Sequence, residues 1–470
     1  MIRLNFEALA KDVDGRLLNE EYASAVFEGV SIDSRAVAER QLFVAIKGEK
    51  DDGHNYIGEV LKKGSAGLMI SHDIPDLVDI SGLMPVIMVD DTHRSMIKMA
   101  AKYRRTLPAK FIAITGSNGK TTTKEFVYAM IAHVEKNTYR SPGNLNNLFG
   151  LPLAIFKMDN SAQFGVFELG ISYPGEMTKL AAMVQADLAL ITNVGPTHLE
   201  TLGTVNGVAE AKLELVDALS ADKPVILNGD CPELMAAARK RGRKYVTYGI
   251  DAPADFTAIR AGLSPEGYPL VKIDGTEVAI KLFGEHQAYN LLSGYAVSRT
   301  LGLELKPEEL NNIEYNFAPY RGEIENINGL TVIADCYNAN PVSMKSGLVS
   351  FRNYLENPVM QGRRSVAVIG DMLELGKNTA DYHREVGAFA ADMAFDAVIA
   401  VGPLSKEIYR AAIQAGYDEK RIVHFDDLAM AGEYLTGSVR RGDILYMKAS
   451  RGIGLEKLIT LLKGSAFRQN

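Results

Sequence analysis

The sequence is short of the features that mark several protein classes. Cysteine occurs only twice, at Cys231 and Cys336, far apart along the chain. That excludes a disulfide framework and offers no cysteine spacing suited to a metal. No apolar run reaches the length of a bilayer-crossing helix, so no membrane insertion is expected. Residues 1–12 mix charges with apolar positions and lack the unbroken apolar segment of a secretory signal, which makes the cytoplasm the expected location. Basic excess is missing too: Lys and Arg number 51 against 58 Asp and Glu, a formal net charge of -7. With no basic block either, nucleic acid is not an expected partner. Repeats, low-complexity tracts and long charge runs are also absent.

What is present is an ordinary globular composition, 47% hydrophobic and 23% charged, over 470 residues. That length exceeds a single compact core and predicts two to four domains. Strand-like apolar runs alternate with helical patterns, which predicts an α/β fold. A first block ends near Leu107, with strands expected at 41–46, 67–70 and 85–89. A second opens with a buried-strand pattern at 111–115, followed by strands at 165–168, 188–192 and 224–227. A third starts near Tyr320 and carries strands at 331–334, 365–369, 397–401, 422–425 and 444–447, a doubly wound parallel pattern.

The strongest local signal is Thr115-Gly116-Ser117-Asn118-Gly119-Lys120-Thr121-Thr122, between a strand and a helix. Glycines let backbone N–H groups turn inward around phosphate oxygens, and the helix N-terminus adds favourable partial charge. Lys120 is expected to neutralise the β- and γ-phosphates, and Thr121 to offer a hydroxyl to Mg2+. The loop is a variant, because Ile114 stands where the usual spacing has its first glycine.

Metal ligands for such a loop belong at the carboxyl ends of neighbouring strands. Glu168 ends one strand, and His198 follows another in Asn193-Val194-Gly195-Pro196-Thr197-His198. A carboxylate and a neutral imidazole suit Mg2+ or Mn2+, although histidine is an uncommon choice for Mg2+. Singly, a strand-end glutamate is more often structural or solvated, and a loop histidine more often a satisfied hydrogen-bonding group. Lys212 sits in a helical pattern that, taken alone, reads as a solvated surface lysine.

Together these residues resemble the Mur ligases, over about Asp33 to Glu456 and in the order of that family's motifs. The resemblance implies three domains: a small α/β UDP-substrate domain at 1–107, a central phosphate-loop ATPase domain at 108–318 and a Rossmann-like domain at 319–470. In the first, Asp33-Ser34-Arg35, Leu42–Gly48 and Asp52-Gly53-His54 resemble the UDP-sugar-binding element, with Ser34 and Arg35 as donors to a diphosphate. In the second, Gly116 to Thr122 matches the family's shortened ATPase loop, and Asn144, Asn146 and Asn147 match its acceptor-handling asparagines. Glu168 and His198 fall on its magnesium positions. Lys212 falls on the lysine that carries CO2 as a carbamate, an anion able to hold a second Mg2+. His286 and Asn290 match an element near adenine, with Gln287 replacing the family's asparagine.

In the third block, Arg321 matches an arginine that reaches ATP, and Asp335 a ribose-holding carboxylate. The string Asp335-Cys336-Tyr337-Asn338-Ala339-Asn340-Pro341-Val342-Ser343, the segment Gly370-Asp371-Met372-Leu373-Glu374-Leu375-Gly376, and Lys448-Ala449-Ser450-Arg451 resemble one branch of the family. In that branch Tyr337, Asn338, Asn340, Lys448, Ser450 and Arg451 handle substrate. Cys336, where serine is common, reads as a small buried residue and not a nucleophile. The branch implies an ATP-dependent acid–amino-acid ligase that joins D-Ala-D-Ala to UDP-MurNAc-tripeptide through an acyl phosphate, as a monomer. The third residue of the acceptor peptide stays open between diaminopimelate and lysine. Sister amide ligases, folylpolyglutamate synthetases, a catalytically silent nucleotide-binding relative and a phosphate-loop motor or transport ATPase are the competing readings. The Asp-Asn-Pro-Arg string of the diaminopimelate-adding ligase is missing from the sequence. Folylpolyglutamate synthetases lack the first domain, and a silent relative would be free to lose Lys120, Glu168, His198 and Lys212.

Overall fold

The structure is a computed structural model, and residues 1–467 are described. Each expected strand forms, and three parallel or mostly parallel sheets organise the chain. The first has five strands in the order Arg16–Leu17, Val86–Met88, Gly67–Ile70, Leu42–Val44 and Val30–Ser31. Only its Arg16–Leu17 edge runs antiparallel.

The middle sheet has seven parallel strands, ordered Phe256–Thr257, Val246–Gly249, Val225–Asn228, Leu188–Ile191, Lys110–Thr115, Phe164–Glu168 and Thr138–Arg140. Lys110–Thr115 lies between Leu188–Ile191 and Phe164–Glu168, where the strand order reverses. Such a switch point opens a crevice at the carboxyl ends of the strands. Register sharpens the placement: Ile114 pairs with Glu168 and Thr115 with Ile191. The loop after Thr115, the Glu168 carboxylate and the loop after Ile191 therefore emerge side by side. Both faces of this sheet are buried. Phe111 and Ala113 point to the core shared with the first block, and Ile112 and Ile114 to the core under the helix Gln287–Thr300. This two-sided burial gives the strands their near-continuous apolar sequences.

The last sheet runs Glu323–Ile327, Leu330–Ala334, Ile444–Lys448, Ser365–Gly370, Ala397–Val401 and Ile422–Phe425, parallel after its antiparallel first edge. Ala334 pairs with Met447, so Asp335 and Lys448 leave the sheet together. A further sheet, Ile259–Leu263, Pro269–Ile273 and Thr276–Ala279, is antiparallel. Among the described residues no helix is long and apolar enough to cross a membrane.

Candidate active site

The phosphate loop is held by its neighbours before any ligand arrives. Gly116 has φ +154°, and a Cβ there would stand 1.9 Å from the Thr192 hydroxyl oxygen, so no side chain fits. Gly119 has φ +79° and faces Asn290, whose Oδ1 would lie 2.6 Å from a Cβ. Thr192 Oγ1 donates to the Asn118 carbonyl (2.6 Å), and the Asn118 N–H donates to Asn193 Oδ1 (2.9 Å). The Ser117 hydroxyl donates to Gly195 O, and accepts from Gly195 N–H and Thr197. Ser117 thus ties two loops together. Lys120 curls over the loop, its Nζ donating to the carbonyls of Gly116 (2.8 Å) and Ser117 (3.2 Å). Desolvation lowers its pKa from the ordinary lysine value, with Arg321 acting the same way and Glu168 opposing.

Glu168 is buried, 2% exposed. One oxygen accepts from Asn146 Nδ2 (2.7 Å), while Oε2 has no partner. A buried carboxylate oxygen without a donor is costly unless a cation completes it. Asn146 and Asn144 line the cleft beside it. Asn147 does not join them: its Oδ1 accepts from the N–H groups of Phe149 and Gly150 at the start of the helix Gly150–Lys157. Beneath this loop lies Lys124, fully buried, donating to the carbonyls of Ser141 (2.9 Å) and Gly143 (3.0 Å). Sequence reasoning missed Lys124, although it stands one helical turn after Lys120.

Lys212 corrects the solvated reading of its helix. On Val205–Asp217 it is 2% exposed. No ion pair joins it to a carboxylate among the described residues. Burial, then the nearby Lys120, hold its pKa well below the usual lysine value, so the neutral amine is favoured. His198, at φ +51°, meets Glu374 of the last block, with Nδ1 3.4 Å from Oε2. Burial also lowers its pKa, with Lys120 adding to the effect.

The last block closes the cleft. Arg321 Nη2 donates to the Thr121 hydroxyl (3.1 Å), and its guanidinium lies 3.8 Å from the centre of the Tyr337 ring. Asn340 Nδ2 donates to Asn118 Oδ1 (2.5 Å). Asp335 accepts from Lys448 (2.7 Å) and Tyr446 (3.0 Å). Ser450 donates to the Ala339 carbonyl and accepts from the Leu373 N–H. Cys336 is buried and desolvation pushes its thiol up to about 12, in keeping with an inert packing residue.

A cavity of about 300 Å3 results, lined by Ser117 to Thr122, Asn144, Asn146, Glu168, His286, Asn290, Arg321, Asp335, Tyr337, Asn338, Asn340 and Lys448. Three buried polar atoms without partners, Glu168 Oε2, His286 Nδ1 and Arg321 Nε, belong to residues lining it. Gln287 is buried and accepts from Asn290 (2.7 Å), so the replaced asparagine position serves as an internal brace. A neighbouring cavity of about 340 Å3 adds Asn228, Asp230, Cys231, Tyr248 and Tyr289, residues the motif reading did not single out. A third, of about 300 Å3, holds His198, Glu374 and Arg451 and shares Ser117, Lys120 and Asn144 with the first.

Ser34 and Arg35 lie outside these cavities. Arg35 is exposed and bound to Asp33 through two contacts, 3.0 and 2.9 Å, which hold the Asp33 carboxyl at about 2. Of the first block's remaining groups, His54, Asp52 and His72 cluster. His54 Nε2 accepts from the Ser71 N–H and its Nδ1 faces Asp52, so both ring nitrogens are engaged within the protein.

Comparison with known proteins agrees with this geometry. Residues 26–104 match the Mur ligase family catalytic domain, 114–298 the Mur ligase middle domain and 321–451 the Mur ligase glutamate ligase domain. The UDP-N-acetylmuramoyl-tripeptide–D-alanyl-D-alanine ligase of Bacillus subtilis is 31% identical over 98% of both chains. MurF from Acinetobacter baumannii, at 24% identity, superposes with a TM-score of 0.86 over 99% of this chain and 100% of its own. MurF ligase from Thermotoga maritima, solved in complex with ADP, is 25% identical with a TM-score of 0.79 over 93% and 97%. The phosphate loop, the switch-point cleft and these full-length matches lead to one conclusion: the chain belongs to the Mur ligase family.

Proposed function

We propose that this protein is the ATP-dependent ligase that adds D-alanyl-D-alanine to UDP-N-acetylmuramoyl-tripeptide, producing the pentapeptide precursor, ADP and phosphate in cell-wall synthesis. The observation that carries the reading is one cleft in which Lys120 and the half-satisfied Glu168 face Arg321, Asp335 and Asn340 of the last block. The name carried by the Bacillus subtilis relative supports the substrates.

A peptide carboxylate is a poor electrophile. Taking the γ-phosphoryl group of ATP onto a carboxylate oxygen releases ADP and leaves an acyl phosphate. The dipeptide amine then attacks the carbonyl, loses a proton, and phosphate departs. Lys120 would turn from its own loop carbonyls to the phosphates, as would the Ser117, Asn118, Gly119, Thr121 and Thr122 segment around it. His286 and Asn290 would border the adenine, and Asp335 the ribose. Asn144 and Asn146 would serve the acceptor, with Asn147 fixing the start of the helix behind them and Ser34 and Arg35 on the acceptor's diphosphate. Tyr337, Asn338, Asn340, Lys448, Ser450 and Arg451 would complete the substrate side.

The donor set fits Mg2+: Glu168 has a free buried oxygen, and Thr121 and His198 supply an oxygen and a nitrogen nearby. Bound there, Mg2+ would offset the repulsion between two anionic reactants. The buried, unpaired, neutral-leaning amine of Lys212 suits reaction with CO2 to a carbamate, which would serve a second ion. The domain division at 1–107, 108–318 and 319–470, a monomeric state and a cytoplasmic location complete the proposal.

The test is phosphate release from ATP and Mg2+ with UDP-MurNAc-tripeptide, with and without D-Ala-D-Ala, and the product mass. Release that needs both, with a product heavier by one dipeptide less water, is expected. Release with a single amino acid instead would reassign the protein to a sister ligase.

A further inference from the structure

No step of the reaction uses the buried lysine beneath the asparagine loop. Lys124 is 0% exposed on the helix Lys120–Val134, one turn after Lys120. An ammonium has three donors and no acceptor. Two of them go to the carbonyls of Ser141 (2.9 Å) and Gly143 (3.0 Å), and Nζ lies 3.4 Å from the Glu125 carboxylate. Glu125 in turn binds Arg140, the residue just before the loop. Taking a charge out of water is costly, and an apolar side chain of similar volume often packs in such a place with no loss of stability. What the lysine adds is position.

The loop above it runs from Ser141 to Asn147. Its start is fixed to the strand Phe164–Glu168: the Ser141 N–H donates to Val166 O (2.9 Å), and the Ser141 hydroxyl accepts from the Glu168 N–H (3.3 Å). Its far side is fixed to the same segment: Asn146 Nδ2 donates to Glu168 Oε1 (2.7 Å), and the Asn146 carbonyl accepts from the Gly170 N–H (2.8 Å). Between these two anchorages, residues 142–145 are hydrogen-bonded outside the loop through Gly143 and Lys124 alone, among the described residues. Gly143 has φ +51°, and nothing stands within 4 Å of where its Cβ would be, so no side-chain packing restrains that turn.

We propose that Lys124 is a positioning residue, which ties the asparagine loop to the phosphate-loop helix and, through Asn146, keeps the Glu168 carboxylate aimed into the cleft. The loop that serves the acceptor and the loop that serves the phosphates then behave as one body. Lys124 touches neither substrate nor metal. It acts through the two carbonyls it holds, as groups behind a metal ligand do. This inference rests on the ligase reading above and adds the residue that sets the acceptor side against the phosphate side.

The experiment compares full-length wild type with Lys124→Met, which keeps the stem and removes the donors. Calorimetric titration gives the affinities for UDP-MurNAc-tripeptide and for ADP, both without metal, and phosphate release gives the Mg2+ midpoint and the D-Ala-D-Ala KM. In Lys124→Met the UDP-MurNAc-tripeptide affinity should weaken, and the Mg2+ midpoint rise, each by about tenfold. The ADP affinity and the dipeptide KM should stay as in wild type. A merely structural lysine would lower the unfolding temperature and leave the acceptor affinity and Mg2+ midpoint in place, and that result overturns the inference. Lys124→Ala should show the same two losses, and added n-propylammonium, which returns an ammonium to the vacated space, should reverse part of them. Equal rescue by n-propanol would mean that volume and not charge matters, and would also overturn it. If Lys124→Met does not fold, Lys124→Ala with and without the amine decides the matter, and failure of both variants to fold would make Lys124 a folding residue instead. Wild type that turns over none of these substrates would overturn the ligase reading, and this inference with it.

Discussion

Arg321 reaches across from the last block and donates a hydrogen bond to the hydroxyl of Thr121, the residue after the phosphate-loop lysine. That hydroxyl is also the proposed metal ligand, and the nearby Asn118 side chain is held by Asn340. Where two parts meet through groups that a ligand needs, those contacts give way when it binds. Ligand binding is therefore expected to change the separation of the middle and last blocks. Small-angle scattering with and without an ATP analogue plus acceptor should give different profiles. Superimposable profiles would remove domain closure from the cycle.

Lys120→Ala should abolish phosphoryl transfer, with a loss in kcat of about a thousandfold or more, the scale of removing a preorganised charge from the transferred group. Lys120 is bonded only to carbonyls of its own loop. Thermal stability should accordingly change by no more than about 1–2 kcal/mol. Calorimetric unfolding beside the phosphate-release assay separates these. Turnover within tenfold of wild type would refute the role.

Much of this was legible in the residues, and the exceptions have physical causes. Strands buried on both faces, such as Leu188–Ile191 and Ser365–Gly370, announce themselves as apolar runs. The strand Ile259–Leu263 does not: its residues are exposed or half-buried, and its pairing slips at a bulge between Arg260 and Gly262. Gly116 and Lys120 could be read because a phosphate loop constrains neighbours in sequence. Lys212 could not be read from its own helix, because its burial depends on what packs over Val205–Asp217. The partners that fix the loop, Thr192, Asn193 and Thr197, lie more than seventy positions away, as their contacts with Asn118 and Ser117 show. Only the register of two parallel strands brings them close.

Lys212→Ala should cripple turnover while leaving the fold intact. The lysine is buried without a carboxylate, so its removal takes away an uncompensated amine. If the carbamate is what matters, short carboxylic acids should restore part of the activity by filling the vacated space with an anion. Rescue should be absent with the matching alcohols. Full activity in Lys212→Ala would dispose of the carbamate.

Neither cysteine should react in the folded protein. Cys336 is 1% exposed with its thiol held up at about 12, and Cys231 is 7% exposed with its thiol also raised by burial. At pH 8 both groups are thiols and not thiolates, and only the thiolate is a good nucleophile. A chromogenic disulfide reagent should therefore titrate no cysteine in native protein and both in denaturant. Rapid loss of ligase activity on thiol modification under native conditions would reopen the assignment of Cys336.

Glu168→Gln tests the metal most directly, because it keeps the shape of the side chain and removes its charge. The amide can still accept from Asn146 through its oxygen, so that brace survives. The orphaned Oε2 position becomes an NH2, which cannot ligate a cation. The Mg2+ concentration for half-maximal phosphate release should rise by about tenfold or more, and excess chelator should stop the wild-type reaction outright. Asn146→Ala should shift the same midpoint less, since the carboxylate keeps its charge and loses only its orientation. An unchanged midpoint in Glu168→Gln would place the metal elsewhere in the cleft, and would leave a buried, half-satisfied carboxylate needing another partner.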